Sequence, residues 1–224
     1  MEHRGFDRRT WVAGAATAAA ALWSTAAGGA RAAPERAEDL SPTEDLMREH
    51  GVLRRILIVY DEAGRRLASD DAAAMGVVAA AANVVRRFVE GYHEKLEEEF
   101  VLPKLEKAGK LVSLAKTIRA QHAVGRRLTD GILAAAKSRD RRAAVAAMQS
   151  FARMYAAHAA WEDTEIFPVY RAQFSAAQLD KLGDKFEAQE QELLGHDGFA
   201  GSLKEVGDLE TTLGIHDLAK FTPA

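Results

Sequence analysis

Apolar positions recur along this chain with the period of a helix rather than of a strand. Leu46, His50, Leu53, Leu57 and Tyr60 follow one another at spacings of 4, 3, 4 and 3 residues, one face of a helix running to about Leu67. Ser41-Pro42-Thr43-Glu44 opens it: Ser41 as N-cap, Pro42 at the first helical position, Glu44 completing a capping box. Ser69-Asp70-Asp71 is turn chemistry. A second helix is expected from about Ala72 to Leu105, with Val85, Val89, Tyr92/His93, Leu96 and Phe100 on its inner face and Pro103 loosening its last turn. After the break at Lys107-Ala108-Gly109 a third helix spans about Lys110 to Lys137, with Leu114, Ile118, His122, Gly125, Thr129 and Ile132 in register. Ser138-Arg139-Asp140 breaks again, and a fourth runs from about Arg141 to Phe167 with the stripe Met148, Phe151, Tyr155, His158 and Glu162. Four long amphipathic helices joined by short loops predict an all-α, up-down-up-down four-helix bundle over residues 41–171. Residues 172–224 read as a C-terminal helical extension, with helices at about 176–194 and 199–213, packed as a cover.

The start of the chain has a different character. Residues 1–33 read as an export signal: Arg8-Arg9, an uncharged run from Thr10 to Ala30, and an Ala30-Arg31-Ala32 cleavage pattern. The arginine pair resembles a twin-arginine signal, which implies an exported, periplasmic protein. Residues 34–40 form a linker, and no later apolar run approaches the length of a membrane span.

Composition narrows the chemistry. The 224 residues include no cysteine, which excludes disulfides, cysteine-ligated metals and cysteine nucleophiles. Thirty basic residues face 33 acids, so nucleic acid is not an expected partner. No Gly-rich phosphate loop or G-x-S-x-G elbow occurs.

The histidines change the picture. His50 and His93 have their midpoint at 71.5, His93 and His122 at 107.5, and His122 and His158 at 140, each at a helix break. Residues equidistant from the turn of an antiparallel hairpin lie side by side, so all four imidazoles fall at one level of the bundle. His93-x3-Glu97 and His158-x3-Glu162 add a carboxylate one helical turn from its histidine, on the same face. Four imidazoles and two carboxylates left unpaired in a core would be very costly; a pair of cations bridged by the carboxylates removes that cost. Iron, zinc and manganese all suit such donors. The chain also repeats itself: Glu49-His50 matches Gln121-His122 at an offset of 72, and His93-x3-Glu97-Glu98-x4-Pro103 matches His158-x3-Glu162-Asp163-x4-Pro168 at an offset of 65.

This order of motifs resembles the hemerythrin family, in particular the bacterial HHE cation-binding domains, over about residues 41–171. The resemblance implies a non-haem di-iron site: His50 and His93 on one iron, His122 and His158 on the other, Glu97 and Glu162 bridging. Two departures stand out. Oxygen-carrying members have His-x3-His on the third helix, where this chain has Arg126 after His122. They also place the fourth-helix carboxylate five residues after its histidine, which would select Asp163, whereas the internal repeat selects Glu162. Glu94, beside His93, is a further candidate ligand that would compensate for the missing imidazole. The resemblance with these departures implies a small-molecule ligand such as oxygen, peroxide or nitric oxide, with sensing, scavenging or redox turnover beside reversible carriage. The alternative is iron binding, storage or sensing without turnover. By the residues alone, Glu94, Asp163 and Glu165 are expected to be solvated acids more often than ligands, Tyr155 to be core, Arg54 and Arg126 to be either surface residues or partners of acids around the site, and Phe100, Phe151 and Trp161 to be core or interface. His196 and His216 are expected to be ordinary.

Overall fold

A computed structural model describes residues 40–223; the expected export signal and residues 34–39 of the linker lie outside them. Helix α1 (Pro42–Ala68) starts where local chemistry satisfies its first turn. The Glu44 backbone N–H donates to Ser41 Oγ at 3.4 Å, and the Ser41 N–H donates back to Glu44 Oε2 at 2.9 Å. Helix α2 covers residues 74–107, α3 is Val112–Ser138, and α4 covers residues 141–171. Asp140 caps α4 by accepting the Ala143 N–H at 3.0 Å.

The two helices with a proline in their interior, α2 and α4, run further than expected, and both change their winding to do so. Proline in an α-helix clashes with the carbonyl four residues back and removes a hydrogen bond. Here a wider π turn precedes each proline. The Leu102 N–H donates to the Glu97 carbonyl ahead of Pro103, and the Phe167 N–H to the Glu162 carbonyl ahead of Pro168. These five-residue reaches absorb the conflict and carry the helices on to Lys107 and Arg171. They also fall on the two candidate carboxylates, where π turns often re-aim functional side chains. The start of α2 slips by two residues from expectation, to Ala74, because Asp71 Oδ1 accepts the Ala73 N–H and holds the preceding residues in a turn.

The four rods form a closed ring: α1 packs on α2 and α4, and α3 packs on the same two. Their apolar stripes meet inside. Leu53, Ile56, Tyr60, Val85, Val89, Leu96, Ile118, Ile132, Met148 and Phe151 are all buried. Of the other apolar expectations, Phe100 is partly buried, and Trp161 is a correction: it stands 55% exposed on the outside of α4. The inward side of that turn is taken by its neighbour Glu162.

Two further helices, α5 (Ala176–Leu194) and α6 (Gly198–Thr212), lie against α1 and α2. Phe186 stacks near Phe100, with ring centres 5.5 Å apart, and Arg48 sits 4.0 Å over the Phe199 ring. Ion pairs Arg55–Glu210 and Arg87–Glu205 fasten α6 to the two rods. Within the acidic run at residues 187–192 two side chains are engaged. Glu190 accepts the Phe199 N–H at 2.5 Å, and Gln189 donates to Glu99. Among the described residues no helix is long and apolar enough to cross a membrane.

Candidate metal centre

All six residues singled out by level and spacing meet inside the ring. His50 comes from α1, His93 and Glu97 from α2, His122 from α3, and His158 and Glu162 from α4; each is at most 3% exposed. The rings pair across adjacent rods: His50 and His93 have centres 4.7 Å apart, His122 and His158 5.0 Å apart. The carboxylates lie between the pairs. Glu162 Oε2 is 3.1 Å from His158 Nε2 and 3.3 Å from His50 Nε2. Glu97 stands 3.3 Å from His122 Nε2 and 3.5 Å from His93 Nε2. Each glutamate therefore spans one imidazole of either pair, the placement a bridge between two cations needs.

The donor atoms fit metal rather than one another. Nε2 of His50, His93 and His122, and all four carboxylate oxygens of Glu97 and Glu162, are buried without a hydrogen-bond partner. A native core tolerates few such atoms, each costing roughly 1–3 kcal/mol. Glu97, His122, His158 and Glu162 bring donors within 4.8 Å of one another, and so do His50, His93 and Glu97. Glu97 belongs to both groups.

The opposite edge of every imidazole is anchored. His50 Nδ1 faces Asp163 at 2.7 Å, His93 Nδ1 faces Glu49 at 2.6 Å, His122 Nδ1 faces Glu98 at 3.0 Å, and His158 Nδ1 faces Gln121 at 2.9 Å. Such contacts fix ring orientation and leave Nε2 free to ligate. The pattern obeys the internal repeat. The residue before each odd histidine (Glu49, Gln121) holds the ring of the next rod. The residue after each glutamate (Glu98, Asp163) holds a ring on the other side. Asp163, expected in solvent, is instead half-buried and tied to both His50 and Arg54. Glu165 and the two tail histidines are exposed.

Electrostatics divides the imidazoles. Burial opposes charge on His50, but the Asp163 and Glu162 carboxylates outweigh it and raise the ring to about 10. His122 is likewise raised to about 10, with Glu97 and Glu98 overcoming burial. Burial prevails at His93 and lowers it to about 4. Its anchor Glu49 is pushed up to about 8, chiefly by burial. Burial disfavours the Glu162 anion too, yet His158 and His50 hold its carboxyl well below the ordinary range.

One end departs from the repeat. Glu94 is wholly buried; it accepts from Tyr155 Oη at 2.5 Å and from Arg126 at 2.9 Å. Arg126 also binds Glu98 at 2.9 Å. Both arginines after the α1 and α3 histidines thus serve acids around the site. Tyr155 is core, as expected, and also a hydrogen-bond donor. Its phenol occupies the space over Gly125, where a β-carbon would fall 1.9 Å from Oη. Sequence reasoning missed the roles of Glu49, Glu98, Gln121 and Gly125. For the first three the signal lay in the repeat itself, as residues flanking the histidines and glutamates.

Comparison with known proteins agrees with this geometry. The hemerythrin HHE cation-binding domain matches residues 41–170. Uncharacterized protein Rv1995 of Mycobacterium tuberculosis and uncharacterized protein Mb2018 of Mycobacterium bovis are each 43% identical over 197 residues, covering 85% of this chain and 77% of the relative. No solved structure matches the chain.

Proposed function

The chain belongs to the hemerythrin HHE cation-binding family, and from that premise we propose that it is an exported, periplasmic di-iron protein that binds or reacts with a small oxidant such as oxygen, peroxide or nitric oxide. The four rods act as an up-down-up-down bundle. His50 and His93 would hold one iron, His122 and His158 the other, and Glu97 and Glu162 would lie between them. The observation that carries this reading is the set of buried, partnerless Nε2 and carboxylate atoms facing one another across the bundle axis. Export rests on the sequence of residues 1–33.

Bound iron would supply Lewis acidity and one-electron redox steps to the small ligand. The protein does the rest. Asp163, Glu49, Glu98 and Gln121 hold the imidazoles in one orientation, so that four Nε2 donors point inward without rearrangement. Glu97 and Glu162 supply negative charge to offset two cations, and the buried Phe167 ring, 5.5 Å from that of His50, keeps one side of the site apolar. Where the oxygen carriers have a fifth imidazole, this chain offers Arg126 and Glu94, so one iron has fewer nitrogen donors.

Anaerobic loading with ferrous iron, followed by exposure to oxygen, peroxide or nitric oxide, tests the proposal. About two irons per chain and a ligand-dependent visible absorption band are expected. Iron uptake without any spectral response would replace the oxidant reading with iron binding, storage or sensing. A colourless protein that takes only zinc would overturn both.

A further inference from the structure

The internal repeat gives each residue around the site a counterpart, and the counterparts do not all match. At the offset of 65, Glu94 corresponds to Ala159 and Tyr155 to Glu90; at the offset of 72, Gly125 corresponds to Leu53. The His122–His158 end therefore combines a buried acid, a phenol and a missing side chain at positions whose counterparts are Ala159, Glu90 and Leu53. These three are one device. Tyr155 is fully buried, with its ring edge-on to His158 at 5.1 Å and against Phe151 at 4.3 Å, so the phenol has no other place to go. Its Oη fits only because Gly125 has no side chain. From there it donates to Glu94 Oε1, while Arg126 holds Oε2. Arg126 also holds Glu98, which faces Nδ1 of His122 at 3.0 Å, so the clamped Glu94 carboxylate belongs to the group of acids that anchors the outer edge of the His122 ring.

We propose that Tyr155 is a positioning residue that acts through Glu94, Arg126 and Glu98 on the orientation of the His122 ring, that Gly125 supplies the space for it, and that the two cation positions consequently differ in affinity. The inference rests on the dinuclear reading above. Without the phenol, Arg126 alone holds Glu94 and draws it toward α3 and the bundle surface, where Arg126 is partly exposed.

Cobalt(II) titration of the full-length metal-free protein, followed by visible absorption and calorimetry, provides the test. Wild type should take up two cobalt ions in two resolved steps. Tyr155→Phe keeps the ring and its packing and removes only the hydroxyl. It should weaken one step about tenfold and change that step's absorption band, leaving the other step within about twofold. Glu94→Gln should weaken the same step, and the double variant should do little more than either alone, because the two residues act as a unit. Gly125→Ala, whose added carbon displaces the phenol, should follow Tyr155→Phe if its melting curve stays cooperative. Unchanged steps and bands in Tyr155→Phe, or effects of Tyr155→Phe and Glu94→Gln on different steps, overturn this inference alone. A wild type that binds no cobalt overturns the dinuclear reading together with it.

Discussion

Metal uptake by this site should expel protons in a number set by its electrostatics. In the metal-free protein His50 and His122 have pKa values raised to about 10, so both carry a proton on each ring nitrogen at pH 7. His93, lowered to about 4, is already neutral there. The Nδ1 protons stay in the hydrogen bonds to Asp163 and Glu98, and a cation replaces only the Nε2 protons of His50 and His122. These two rings should therefore release about two protons at pH 7, falling to about one at pH 10, where each is half deprotonated. Between these limits the apparent affinity should rise by up to ~100-fold per pH unit, tenfold for each proton. Calorimetry of ferrous or cobalt binding in buffers of different ionisation enthalpy measures the number directly, as the slope of observed heat against buffer heat. A slope near zero, or near four, would refute the division of the imidazoles into charged and neutral. The same shifts fix the sign for the metal-free fold. Rings raised above their unfolded value of 6.5 stabilise it fully below that pH. That contribution should fade as pH climbs to about 10, and urea midpoints of metal-free protein at pH 7 and pH 10 would show it.

Other consequences are simpler to read. Chelating the metals should lower the melting temperature by roughly 8–16 °C, since ligand at a thousand times its dissociation constant contributes about 4 kcal/mol and a domain of this size shifts about 2–4 °C per kcal/mol; a melting curve indifferent to chelator would oppose a metal-supported core. Asp163→Asn should keep two metals per chain but weaken binding about 10–100-fold, because it alters the anchor of His50 and not a bridge; equilibrium competition with a coloured chelator would detect it. Ser41→Ala should cost about 1 kcal/mol in chemical denaturation through the lost cap and leave metal content unchanged.

Much of this was legible in the sequence for a geometric reason. Turns at 71, 107 and 140 fix which residues lie level in consecutive hairpins, so one-dimensional spacing was enough to bring His50, His93, His122 and His158 together. The i, i+4 glutamates followed from helical pitch. What escaped has no such one-dimensional signature. The fit of Tyr155 against Gly125 depends on where a side chain from α4 meets the backbone of α3. The π turns before Pro103 and Pro168 required knowing that the helices would widen rather than stop. Asp163 looked solvated because it lies on the rim of its rod's inner face, and only the position of His50 on α1 turns it inward. Trp161 misled in the other direction: its size suggested burial, but it stands on the outer side of α4, 55% exposed.

The central claim, that four imidazoles and two glutamates hold a pair of irons, is tested most directly by elemental analysis of the protein purified from its native compartment, beside a Glu97→Gln, Glu162→Gln double variant. The expected result is about two irons per chain in the wild type and a near-complete loss in the variant. Native protein free of iron, or a variant that keeps its full complement, would contradict it.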